Sequence, residues 1–283
     1  SALPSGVSVS VMPVAGAWLD LNGYAATIGT LAGGSGGSGI LLGSGALTVQ
    51  GGEFGGPISG AGSVTKSGVE TLTLSGNNTY SGGTTISGGT LRLGSEGALP
   101  NGGAVLLADA AGVTLDLNGH SATIGILEGG GPSGGNVSLG SGTLTVLSGS
   151  YTGAIAGAGA LVKSGSGTLT LYGHNSHLGG TTVQGGTLRL GAADALPASS
   201  AVAFGNVAGA VLDLNGHSVA LASLSGGGAL AGDIALGTGT LTVESGTYDG
   251  AISGAGSLVK SGSGTLTLGG HNSYEGGTTI SGG

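Results

Sequence analysis

The sequence predicts an all-β chain wound as a parallel β-helix (β-solenoid) of about 11–12 coils, four coils to each repeat of about 97 residues. Three observations predict it. The chain repeats itself at long range: "LDLNG" starts at Leu19, Leu115 and Leu212, "ALP" at Ala2, Ala98 and Ala195, and single lysines stand at Lys66, Lys163 and Lys260. A shorter word, Thr-Leu-x-Leu/Val, recurs inside each unit, starting at 18, 46, 71, 90, 114, 143, 168, 187, 211, 240 and 265. Apolar and polar residues alternate in every copy, which is the pattern of a strand with one buried face.

The repeats run 1–96, 97–193 and 194–283 within a single solenoid, 1–283. A unit of this length could also be an immunoglobulin-like sandwich. The spacing of the words argues otherwise, because one similar strand every 19 to 29 residues is what each coil of a solenoid supplies. Hairpin-linked sandwich strands are dissimilar, and their cores use bulky aromatics. This chain has one Trp and two Phe in 283 residues, so its core should be narrow, regular and aliphatic.

Gly, Ser and Asn clusters follow each word, where the chain must turn. A second strand per coil is visible in "YAATIGTL" at Tyr24, "SATIGIL" at Ser121 and "HSVALASL" at His217. "GGTTI" or "GGTTV" at Gly82, Gly179 and Gly276 fills that role in the shortest coil. Stacked coils lie about 4.8 Å apart. No coil buries its apolar face alone, so stability grows with the number stacked.

If the words form one column, their third residues read Asp20, Thr48, Thr73, Arg92, Asp116, Thr145, Thr170, Arg189, Asp213, Thr242 and Thr267, all facing outward. Arg92 should then sit beside Asp116 and Arg189 beside Asp213, with Asp20 left without an arginine. The chain falls eight residues short of three full 97-residue units, as expected of a piece taken from a longer array. Its ends should expose unpaired strand edges able to stack end to end with other copies.

The composition excludes several functions. Net charge is −8, and the five basic residues are scattered singly, so no nucleic-acid surface exists. No apolar run is long enough for a membrane-spanning helix. The first ten residues lack the charged and apolar regions of a signal peptide. With no Cys there is neither disulfide nor thiolate metal site.

Candidate chemistry is sparse. "GGSGG" at Gly33–Gly37 fits the nucleophile-elbow pattern by letter but lacks the strand-to-helix setting. His120 and His217 align with Tyr24, His174 and His271 with Asn77, and His177 with Tyr80 and Tyr274. Equivalent histidines lie about four coils apart and cannot share a metal. Asn22, Asn118 and Asn215, each before Gly, read as turn residues that tolerate positive φ. The chain is read as no enzyme. No catalytic, cofactor-binding or metal-binding residue is assigned, and no cofactor is expected.

"GAGSVTKSGVETLTLSGNNTYSGGTTISGGTLRLG", Gly60 to Gly94, resembles the autotransporter-associated β-strand repeat, also called the passenger-associated transport repeat. So do Gly157 to Gly191 and Gly254 to Gly283. The resemblance implies the passenger of a bacterial type V secreted protein, a right-handed parallel β-helix exported through an outer-membrane β-barrel translocator. It implies an extracellular, cell-surface location and a structural, secretion-associated stalk serving adhesion to host or self, or biofilm. The alternative is a ligand-binding solenoid face, for glycan or ice, built on outward Thr ladders. A binding site should break the repeat. The variable places are the Gly-rich loops starting at Ala32, Glu128 and Ser225.

Overall fold

The structure, a computed structural model, describes residues 3–228 and 232–283. Ala229 to Ala231, in the third Gly-rich loop, lie outside the described residues. The described residues form short β-strands and no helix, with parallel strands stacked as a β-solenoid. The chain divides into two compact units, Ser1–Leu144 and Thr145–Gly283. Among the described residues no helix is long and apolar enough to cross a membrane.

Each unit is stacked as the alternation dictates. In Thr71–Leu74 the residues Leu72 and Leu74 are fully buried while Thr71 and Thr73 face out. Thr90–Leu93 stacks on that strand in register, Leu91 on Leu72 and Leu93 on Leu74. Thr114–Asp116 follows, Leu115 on Leu91. In the second unit Thr168–Leu171, Thr187–Leu190 and Val211–Asp213 repeat the arrangement. Like residues sit over like, so each added coil extends an aliphatic column. Burying one such Leu contributes about 1.5–3 kcal/mol.

The stacking corrects the expected coil count. From Ala26–Gly33, the successive partners are Leu47–Phe54, Val64–Lys66, Thr84–Ile86, Gly103–Leu107 and Ala122–Gly129. In register, four of these steps carry Ala26 to Val105 and the fifth to Leu127, past its repeat equivalent Ala122, so one repeat takes more than four turns and fewer than five, and the stack has about 13 turns where 11–12 were expected. In the second unit four steps in register carry Leu161 to Gly246 and a fifth to Leu266, again past its repeat equivalent, Leu258. Part of the excess lies in the longest word spacing. Thr114–Asp116 stacks on Asn136–Ser138, a strand without the Thr-Leu word, and not on the word at 143.

The words also do not form one column. Leu47–Val49 pairs with Ala26–Ile28 and Val64–Lys66, whereas Trp18–Asp20 pairs with Gly39–Leu41. Thr48 therefore stacks on neither Asp20 nor Thr73. Alternation specifies which side chains turn inward, but not which strand of the next coil a strand meets.

The core is aliphatic as expected, with a few aromatic insertions, one of them at the same position in every repeat. Phe54, Tyr151 and Tyr248 are equivalent and fully buried, as is Tyr80.

Candidate functional site

The buried polar residues, not a surface cleft, carry the organisation of this repeat. Lys66, Lys163 and Lys260 occupy inward strand positions, in "VTK", "LVK" and "LVK". Lys66 stacks between Val49 and Ile86. Its stem fills the aliphatic column while its ammonium turns to the coil edge. There it donates to the carbonyls of Ser67 at 2.6 Å, Gly68 at 3.0 Å and Gly88 at 2.8 Å. Three donors meet three acceptors, which offsets the cost of burying an ammonium. Two carbonyls belong to its own turn and the third to the next coil, so the charge staples adjacent coils.

Lys163 does the same with Ser164, Gly165 and Gly185, and Lys260 with Ser261, Gly262 and Gly282. Burial pushes Lys66 down to about 8, partly opposed by Glu70, and pushes Lys163 down to about 8. Gly186 seals the second cage at φ +59°. A Cβ there would lie 2.8 Å from the Lys163 ammonium and 2.3 Å from the Gly167 carbonyl.

A buried asparagine forms the second device. Asn78 Oδ1 accepts from the Ile58 N–H at 2.8 Å, and its Nδ2 donates to the Ala98 carbonyl at 2.7 Å. One side chain thus joins the coil before it and the coil after it. Asn175 repeats this with Ile155 at 2.7 Å and Ala195 at 2.6 Å, and Asn272 accepts from Ile252 at 2.9 Å. The third device is a ring bonded to the threonine four residues on. Tyr80 meets Thr84 at 2.7 Å, His177 meets Thr181 at 2.9 Å and Tyr274 meets Thr278.

The outward ion pairs fall where the order of the strand words places them. Arg92 Nε donates to Asp116 Oδ2 at 2.8 Å, and Arg189 Nε lies 3.3 Å from Asp213 Oδ2. Arg189 also donates to Asn215 Oδ1 at 2.6 Å. Asn22, Asn118 and Asn215 take positive φ of 47°, 51° and 51°. Each backbone N–H caps the aspartate two residues earlier. Turn chemistry accounts for the "LDLNG" signature.

The histidines are not brought together. His120 and His217 are half-buried, His174 and His271 are exposed, and His174 faces Asp194 at 3.6 Å. Among the described residues no group of three His, Asp or Glu is placed to hold a metal. Gly33–Gly37 runs from a strand end into a loop with no helix following.

Reading the sequence missed the lysine cage and the asparagine bridge. A signal for the first was present: Lys66 interrupts an alternating strand at a position where the pattern calls for an apolar residue. For the second, only Asn78 of the Asn-Asn pair is buried, and the neighbouring Asn77 drew the comparison instead.

Coils whose recurrent buried polar groups bond within their own coil and to the coils beside it define a repeat-built structural β-solenoid. The chain carries three copies of the passenger-associated-transport-repeat, whose family model matches residues 64–93, 161–190 and 258–283. Each lysine, each bridging asparagine and each Tyr/His–Thr pair falls inside a matched segment. The chain is 42% identical over 286 residues to the adhesin BmaC autotransporter of Brucella suis biovar 1 (strain 1330). That match covers 94% of this chain and 8% of the length of the relative. No solved structure matches the chain.

Proposed function

We propose that this chain is a secretion-associated, β-helical stalk segment of a bacterial cell-surface autotransporter passenger whose parent serves adhesion or biofilm formation. The observation that carries the reading is the recurrence of the lysine cage. It stands at the same repeat position in all three copies and engages only backbone carbonyls, so it serves stacking and holds no ligand. A chain exported unfolded through an outer-membrane β-barrel gains from this design. Each arriving coil docks on the one before, and the buried polar groups penalise a slipped register. The kinship with an autotransporter adhesin supports a surface location and the barrel translocator in the parent.

The Thr-ladder alternative has limited support. In the first unit Thr27, Thr48, Thr65 and Thr85 stack in one outward row, and Leu106 ends it. In the second unit the row is broken by Ala220 and Val259.

Export of the full-length parent tests the stalk reading. The triple variant Lys66→Ala, Lys163→Ala, Lys260→Ala should reduce the passenger accessible to external protease, while the barrel inserts at its normal level. Unchanged surface display, with these coils shown to be unfolded, would defeat it.

A further inference from the structure

One ring position differs among the repeats in a way that stacking does not require. Tyr80 has a single polar atom on its ring, and Thr84 satisfies it. His177, its equivalent, has two ring nitrogens and is 1% exposed. Nε2 meets Thr181, but Nδ1 has no hydrogen-bond partner. The other unpartnered buried side-chain atom among the described residues is Ser200 Oγ. Ser200 lies on the strand stacked over Thr181–Val183, where the preceding repeat has Gly103. Both departures from the repeat therefore fall in adjoining coils.

We propose that His177 makes its coil an acid-sensitive joint: protonation of the ring opens the turn from Asn175 to Thr181, while the equivalent tyrosine turns stay closed. A buried imidazolium needs a counter-charge, and the surroundings supply none; the Ile155 backbone favours the charged ring, but burial outweighs it. The coil beneath contributes Ile155–Gly157, with Gly157 in register with His177. The ring's own loop leads into Thr181–Val183, and the coil above contributes Ala195 to Pro197. Apart from His174, which is exposed in the ring's own loop, none of these segments carries a titratable side chain.

The nearest charged positions do not help. Lys163, on the strand paired with Thr181–Val183, is itself a cation. Asp194 precedes Ala195 but is turned toward His174 at the surface. Tyr151, in the coil beneath, is kept neutral because burial pushes its ionisation upward. What opens is the set of contacts by which the turn holds its neighbours, including Leu178 N–H to the Gly157 carbonyl at 2.8 Å and the Asn175 bridge.

Burial pushes His177 down to about 4, against a partial opposing effect of the Ile155 backbone. An opened chain with an ordinary histidine binds its proton near pH 6.5. Between these values the open form holds more protons, so stability is fully present above pH 6.5 and is lost as pH falls toward 4. The opening equilibrium should rise roughly a hundredfold between pH 7 and 4.

Hydrogen exchange resolved by peptide, corrected for the intrinsic pH dependence of amide exchange, tests this within one molecule. Protection of Asn175–Thr181 should fall roughly a hundredfold from pH 7 to 4 while that of Asn78–Thr84 holds. His177→Tyr installs the side chain used at the other two positions and should abolish the difference, and Tyr80→His should transfer it to the first unit. An equal response of the two segments in the wild-type chain, or a response that survives His177→Tyr, overturns the proposal.

Discussion

The three segments that match the transport repeat and the stretches between them are built from the same strands, but they hold register by different means. Around Leu115, Val137 and Leu212 the stretches between carry aliphatic columns, aspartate-capped turns and Gly-rich loops. The matched segments add a caged ammonium, a bridging amide and a ring–threonine bond. Aliphatic columns reward any inward apolar residue and so tolerate a shift by two residues. A buried polar group tolerates none, because a shift strands it without partners at a cost of about 1–3 kcal/mol, or more for a charge. Recurrence of the polar devices thus marks where the repeat fixes its alignment.

The largest test of this contrast uses two glycines of the same handedness. Gly186 seals the Lys163 cage at φ +59°, whereas Gly209, between matched segments, has φ +78° and nothing within 4 Å of an added Cβ. Gly209→Ala should cost only the left-handed backbone penalty, about 1 kcal/mol. Gly186→Ala adds a clash with the Gly167 carbonyl and displaces a buried ammonium, for a total on the order of 3 kcal/mol or more. Urea denaturation of the two variants measures both. Equal losses would mean that the cage contributes nothing beyond its backbone.

A smaller loss is expected at the asparagine bridge. Asn78→Ala leaves the Ile58 N–H and the Ala98 carbonyl without their side-chain partner, costing about 2–3 kcal/mol by denaturant midpoint. Asn77→Ala, one residue away and exposed, should change stability by less than about 0.5 kcal/mol. If the two variants behave alike, the bridge does not fix the register.

Much of this was legible in the sequence, and the reasons for the rest are physical. Alternation gave the inward Leu72, Leu74, Leu91 and Leu93, and long-range repetition gave the parallel stack. The Arg92–Asp116 and Arg189–Asp213 pairs could be placed because their three-strand stack has no intervening coil. The coil count came out short of about 13 turns because Asn136–Ser138 makes a full strand pairing without the Thr-Leu word. A strand needs backbone partners and one inward residue, here Val137, but no signature. The lysine cage was hidden for a different reason. Its acceptors are backbone carbonyls of Ser67, Gly68 and Gly88, and no side-chain pattern announces a carbonyl. A solvated surface lysine and a caged one read alike until the strand's inward phase is taken literally.

The outward pairs mark the lower end of the scale. Arg92 is about half exposed, with a side-chain accessibility of 47%, so solvent screens its attraction to Asp116. A double-mutant cycle with Arg92→Ala and Asp116→Ala should give a coupling of about 0–1 kcal/mol, shrinking as salt is raised. Asp116→Ala alone should cost more than the coupling, because its other oxygen caps the Asn118 N–H at 2.9 Å in a left-handed turn. The second pair offers the comparison. Arg189 divides its donors between Asp213 and Asn215, so its coupling to Asp213 should be the smaller of the two. A coupling above about 2 kcal/mol at either site would place register control on the surface. The buried lysines, asparagines and ring pairs would then be secondary to it.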